Sequence, residues 1–327
     1  MSDQRLAITV VTGAGWRARD VRNVAREAEA AGFDAIFNTE VNSDTVATAQ
    51  LMGCATTRIQ VGTWIANIYL RHPYACAKGA SLIADDTGGR FLLGLGVSHQ
   101  PVNKALAIDM TNAPRDLRRY VIEVRNWLNG QGPTTHLPQQ PSPERVPIYV
   151  ATLSMAAVER AAEIADGIMP TMWSPERVAR CTTRAARSQR APELGTLDIT
   201  LGLPTFLGDD LDTQRNVARQ NLALYTGFPY FQRMWRESGF RNEADQMAQG
   251  AGPAALSDAL LDSFCLIGPL ERCQERLAAY REAGVDLPIL NPPIGPDAAL
   301  AVIQAFQRTP QVGEQPSSKV GRAPAPA

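Results

Sequence analysis

The sequence predicts a (β/α)8 TIM barrel, on three observations. Eight short apolar runs alternate with longer amphipathic ones along most of the 327 residues. Such alternation implies a parallel sheet with right-handed crossovers, and eight units of it close on themselves. The chain is long enough for a barrel of roughly 250 residues with extensions, and 45% hydrophobic against 20% charged residues supply a large core. A doubly wound open sheet is the alternative built from the same parts. The chain shows no two-half organisation, internal repeat or linker, so one domain over residues 1–309 is expected.

The first strand, residues 6–11, is apolar apart from Thr9, the pattern of a buried strand. Asp20 is placed to cap the next helix, where Val21, Val24, Ala25 and Ala28 recur at helical spacing until Gly32 ends it. Residues 34–38 give the second strand, 44–54 a helix and 58–62 the third strand. Pro73 opens the third helix, where its missing N–H costs nothing. Further strands are expected at 91–95, 146–151, 167–169, 198–203 and 286–290. Further helices are expected at 114–129, 154–164, 175–188, 213–224 and 269–283. Two regions depart from the alternation. Residues 225–262 carry Tyr225, Phe228, Tyr230, Phe231, Trp235 and Phe240, an aromatic-rich insertion able to cover the barrel mouth. Residues 310–327 are rich in Pro, Ser and Ala with little apolar content, which predicts a disordered tail.

The totals exclude several functions. A formal net charge of −1 leaves no basic excess for a nucleic-acid backbone. No apolar run approaches the ~18 residues of a membrane helix, and no charged-then-apolar leader is seen, so a cytoplasmic protein is expected. Cys54, Cys76, Cys181, Cys265 and Cys273 form no C-x-x-C pair, and His72, His99 and His136 show no ligand spacing. Neither a metal site nor a disulfide framework is expected.

Active sites of such barrels lie at the C-terminal ends of the strands. That rule selects Glu40, residues 64–67, 96–100, 152–154, 170–173, 204–206 and 291–293. Glu40 and His99 are the clearest titratable groups among them, with no Ser-His-Asp set, glycosidase carboxylate pair or metal cage. Aromatics, backbone amides and few acids suit a site where a cofactor carries the chemistry. The run GLGVSH at 94–99 lacks the third glycine of a dinucleotide loop. Its glycines serve either a close ligand approach or a tight turn. At 151–154 a strand runs into a helix. The free N–H groups there, with the Thr152 and Ser154 hydroxyls, could hold a phosphate, or Ser154 could simply cap the helix.

Several segments together resemble the luciferase-like monooxygenase superfamily, especially its F420-dependent oxidoreductase branch. They are AEAAGFDAIF (28–37), TRIQVGT (57–63), RHP (71–73), GRFLLGLGVSH (89–99), AEIADG (162–167), LIGP (266–269) and YREAGVD (280–286), in family order. The resemblance implies a deazaflavin or flavin ring in the barrel mouth, with a non-prolyl cis peptide at Trp64–Ile65 bulging against it. It places coenzyme contacts at Glu40 and Ala66, at Leu153, Ser154, Ala156 and Ala157 about the phosphate, and at Val97 and Ser98 near the ring or substrate. Sugar-phosphate dehydrogenases of the branch carry a catalytic histidine where this chain has Val41, and their acid is His99 here, so glucose 6-phosphate oxidation is not expected. His72 is read as orienting the start of the third helix.

The reading reached is a coenzyme F420-dependent oxidoreductase that moves a hydride to or from a small organic substrate, with His99 exchanging a proton near neutral pH. The alternatives are an FMN-dependent monooxygenase or reductase on the same barrel, a barrel that binds a cofactor or ligand without turnover, and a cofactor-free lyase. A homodimer is considered; nucleic-acid and membrane partners are not.

Overall fold

A computed structural model describes residues 4–133 and 137–308. His136 and the tail at 310–327 lie outside the described residues. The strands are β1 (Ala7–Val10), β2 (Ala35–Asn38), β3 (Gln60–Thr63), β4 (Ala66–Asn67), β5 (Phe91–Gly96), β6 (Ile148–Val150), β7 (Gly167–Ile168), β8 (Asp198–Leu207), β9 (Leu266–Gly268) and β10 (Leu287–Asn291). The helices are α1 (Ala18–Ala30), α2 (Thr45–Ala55), α3 (Pro73–Asp86), α4 (Gln100–Ala105), α5 (Ala113–Leu128), α6 (Met155–Ala162), α7 (Pro175–Ala185), α8 (Leu211–Thr226), α9 (Pro229–Glu237), α10 (Arg241–Ala248), α11 (Asp258–Phe264), α12 (Leu270–Glu282) and α13 (Pro296–Ala305).

Eight parallel strands close into a barrel in the order β1, β2, β3, β5, β6, β7, β8, β10, with β10 returning to β1. All eight strands expected from the sequence are present. β4 lies beside the end of β5, and β9 pairs with the far end of β8, Thr205–Leu207, beyond the barrel wall. β8 therefore runs past the predicted 198–203, and residues 204–206 belong to the strand rather than to a loop after it.

Alternation along the strands divides the core. Ala7, Ala35, Phe37, Leu92, Tyr149, Met169, Leu287 and Ile289 fill the barrel interior, with Trp64 and Ile65 packed on them. Ile8, Ile36, Val61, Leu93, Val150 and Leu201 belong to the outer core shared with the helices. Glycine makes the inner packing possible. A Cβ on Gly62 would stand 2.6 Å from the Phe37 ring, and one on Gly202 would stand 2.1 Å from the Trp64 ring. At the N-terminal end, Asp198 accepts hydrogen bonds from Arg5 (3.0 Å from Nη1) and from the Tyr149 hydroxyl, closing the barrel floor with a paired charge.

Local chemistry explains the helix starts. Asp44 caps α2 by accepting the Val46 and Ala47 N–H groups, at 2.9 and 3.0 Å. His72 Nδ1 accepts the Tyr74 N–H at 3.1 Å ahead of Pro73, the orienting role expected of it. Asp20 is not the cap of α1. It sits in the first turn and its carboxylate accepts the N–H of Arg17, which holds the cap position. Gly32, at φ 82°, ends the helix as expected.

The seventh crossover is the long one: α8, then the aromatic-rich helices α9 to α11, then β9 and α12 before β10. The helix expected at 269–283 is therefore not the last of the ring. That place belongs to α13, which follows β10 and packs on α1. Among the described residues no helix is long and apolar enough to cross a membrane, and no group of His, Cys, Asp or Glu could hold a metal ion.

Candidate active site

The ends of four neighbouring strands, β2, β3, β5 and β6, carry the residues singled out in the sequence. The Trp64–Ile65 peptide between β3 and β4 is cis, as the resemblance implied. Its two side chains close the barrel interior from above, the Trp64 ring lying against Gly202. Gly94 and Gly96 make room for this segment: a Cβ on Gly94 would meet the Thr63 carbonyl oxygen at 2.1 Å, and one on Gly96 would meet Ile65 at 2.8 Å. The two glycines lie within β5, so neither forms a turn. What approaches them closely is the chain's own bulge.

Glu40, just past β2, is held on both oxygens. Oε1 and Oε2 accept from Arg71 at 2.5 and 2.9 Å, and Oε2 also accepts the Asn67 N–H at 2.6 Å. Its side chain is 6% exposed and that of Arg71 14%. Burial works against the Arg71 charge, but the hydrogen bond and charge of Glu40, with Asp44 beside it, hold the guanidinium well above its ordinary pKa. The network continues inward. Asn67 Nδ2 donates to Asn103 Oδ1 at 2.8 Å, and Asn103 Nδ2 donates to the Val97 carbonyl at 2.7 Å. Glu40 thereby fixes the backbone of β4 and, through two buried asparagines, the β5 end. Ala66 is buried in β4, and Val97 is half-buried. Ser98 takes φ 56°, and Asn42 and Met172, after β2 and β7, are also left-handed. Non-glycine residues held in that region cost about 1–3 kcal/mol each and gather at functional loops.

His99 follows directly and caps α4 without a side-chain cap bond. Its Nδ1 shares a hydrogen bond with the Tyr230 hydroxyl of α9. The Phe228 ring lies 4.8 Å from it, and the Tyr230 ring is nearly parallel at 5.7 Å. Tyr225 and Phe231 complete the surround. Residues of the aromatic insertion thus pack around the β5 end of the mouth. Burial pushes the imidazole down to about 4. The aromatic surround, not visible in residue order, is what buries the ring.

Beyond β6, Ser154 caps α6 by accepting the Ala157 N–H at 3.2 Å. The Met155 and Ala156 N–H groups have no acceptor among the described residues. Thr152 is 3% exposed and its Oγ1 has no partner among the described residues; the sealed Oγ1 atoms of Thr9, within β1, and Thr39, just after β2, likewise have none. The Leu153 carbonyl accepts from Arg177 Nη2 at 3.0 Å, and Arg177 pairs with Glu237 of α9. Sequence reasoning missed Arg71, Asn103, Arg177 and Tyr230 as site-shaping groups. Tyr230 carried a signal in its place in the aromatic run, and Arg71 in its place in the RHP segment; Asn103 and Arg177 carried none. Two clefts, about 490 Å³ beside α11 and α12 and about 560 Å³ at the N-terminal end of the barrel, hold none of the site residues expected from the sequence.

The model of the luciferase-like monooxygenase family matches residues 5–287. A Mycobacterium tuberculosis protein provisionally described as a coenzyme F420-dependent oxidoreductase is 25% identical over 329 aligned residues, covering 84% of this chain and 92% of its own. Among solved structures, the coenzyme F420-dependent tetrahydromethanopterin reductase of Methanopyrus kandleri superposes with a TM-score of 0.75 at 17% identity, over 94% of this chain and 98% of that one. The oxygenating constituent of 3,6-diketocamphane monooxygenase from Pseudomonas putida, solved with FMN, gives 0.64 at 16% identity, over 93% and 96%. The relatives thus span both coenzyme classes.

Proposed function

The chain belongs to the luciferase-like monooxygenase family, and from that premise we propose an oxidoreductase that moves a hydride between coenzyme F420 and a small organic substrate. One observation carries the reading. Among the described residues, the side chains of the mouth leave no redox centre and no free acid–base pair, since Glu40 is neutralised by Arg71 and burial keeps His99 uncharged. Unpartnered buried hydroxyls on Thr9, Thr39 and Thr152 remain, together with the open first turn of α6. Buried polar groups are ordinarily paired, so these fit a polar ligand.

The residues present fit the coenzyme. Leu153, Ser154, Ala156 and Ala157, with Thr152, would hold its phosphate at the positive end of α6. Trp64, Ile65, Ala66, Val97 and Ser98 would face its ring. Bound there, the coenzyme supplies the two-electron donor or acceptor that no side chain provides. The chain's own part is positional. Glu40 acts through Arg71 and Asn67 to hold the 64–67 segment rigid. The α9 aromatics exclude water from the β5 end, and His99 offers a neutral hydrogen-bonding group there.

Titration of the purified protein with oxidised F420 and, in parallel, with FMN tests the reading through the absorbance and fluorescence of each. Micromolar or better deazaflavin binding with weaker FMN binding is expected. FMN binding of equal or greater strength, with oxygen uptake on reduction, would assign the chain to the monooxygenases instead.

A further inference from the structure

We infer that Tyr230 is the positioning residue for His99: its phenol donates to Nδ1, so the neutral ring carries its proton on Nε2 and presents a hydrogen-bond donor to a carbonyl-type acceptor at the barrel mouth. The choice of acceptor rests on the oxidoreductase reading above; the Tyr230–His99 assignment does not.

The contact joins residues 131 positions apart in the chain, brought together by the insertion folding back over the end of β5. Either atom of the pair could donate, and chemistry decides between them. A phenol O–H is a stronger donor than a neutral imidazole N–H, and the pyridine-type nitrogen of imidazole is a stronger acceptor than a phenol oxygen. Burial favours the same arrangement from both sides, raising the phenol pKa so that it keeps its proton and lowering that of the imidazole. The nearly parallel Tyr230 ring, 8° from the imidazole plane, and the Phe228 ring at 4.8 Å resist rotation of His99. Nε2 has no partner among the described residues, yet it is not among the polar atoms sealed from solvent. A fixed donor without an acceptor, walled by aromatic rings, suits a reactant that brings a carbonyl oxygen or imine nitrogen on a flat, apolar frame.

The test uses the full chain labelled with ¹⁵N-histidine at pH 7. The chain has three histidines, and His99→Gln identifies the His99 signals by their loss. The expected spectrum has a pyridine-type Nδ1 and a proton-bearing Nε2. Tyr230→Phe, which keeps the ring and removes the hydroxyl, should give a mixture of tautomers; a merely packing role would leave the spectrum unchanged. A proton on Nδ1 in the unmodified chain, or an unaltered tautomer in Tyr230→Phe, overturns the assignment. Should Tyr230→Phe not fold, the unmodified chain's tautomer alone decides. The acceptor is then probed with cyclohex-2-enone in the presence of oxidised deazaflavin, so that no turnover occurs. The Nε2–H resonance should move, and Tyr230→Phe should need at least ~10-fold more enone for the same response. An unmoved Nε2–H resonance overturns the acceptor half. A chain that binds neither coenzyme but shows the Nε2–H tautomer, scrambled by Tyr230→Phe, would sink the oxidoreductase reading while upholding the assignment.

Discussion

Two side chains of the mouth have consequences large enough to measure. Arg71 neutralises a carboxylate whose side chain is 6% exposed. Removing one partner of a buried pair leaves an uncompensated charge and typically costs about 3–5 kcal/mol. Arg71→Met should lower stability by about that amount in urea unfolding, whereas Arg71→Met combined with Glu40→Gln should recover most of it. A loss under 1 kcal/mol in the single variant would mean that water solvates Glu40 well enough to replace Arg71. For His99 the folded pKa of about 4 lies below the ordinary 6.5. Between those values the unfolded chain binds a proton that the folded one does not. Stability should therefore be full above pH 6.5, fall as the pH drops towards 4, and level off below. His99→Gln should flatten that window; an identical profile would show that other groups set it. Neither pair could be read from residue order. Glu40 and Arg71 were both visible, but their mutual neutralisation depends on β2 and the segment after β4 ending side by side.

Elements were legible where a period of several residues repeats. All eight barrel strands announce themselves as apolar runs, and eight helices by their caps and spacing. β4 and β9, two and three residues long, are too short to show any period. α13 hides because its sequence, PDAALAVIQA, is apolar nearly all round and follows a Pro- and Gly-containing stretch. α6 offers the sharpest test of an element. Its Ser154 is exposed, caps the helix, and stands where the coenzyme phosphate is proposed to lie. Ser154→Asp keeps a capping carboxylate, which the helix dipole tolerates or favours, so the melting temperature should hardly change. It also sets a negative charge against the phosphate, so F420 affinity should fall at least ~10-fold, about 1.4 kcal/mol. Unaltered affinity in a folded variant would reduce Ser154 to a cap.

Across the whole molecule, the barrel interior pairs glycines with large side chains, and this matching, rather than hydrophobicity alone, sets the room left for Trp64. Gly94→Ala places a methyl 2.1 Å from the backbone oxygen of Thr63 and 2.5 Å from the Met169 sulfur. Overpacking of a tight core costs typically 1–3 kcal/mol. With backbone as the obstacle, about 3 kcal/mol is expected by chemical denaturation, and a neutral result would show that the 63–65 segment yields. The sequence displayed these glycines but not their partners, because pairing across a barrel depends on register. The same closure bears on how the protein is made. β1 finds its second neighbour only in β10, Ala7 lying beside Ile289. A chain emerging from the ribosome therefore carries β1 with a bare edge until nearly all of the barrel has been synthesised. An unpaired strand edge is a template for association with other chains. Nascent chains stalled before residue 287 should therefore engage chaperones or aggregate, and the hazard should vanish within the few residues that let β10 seat.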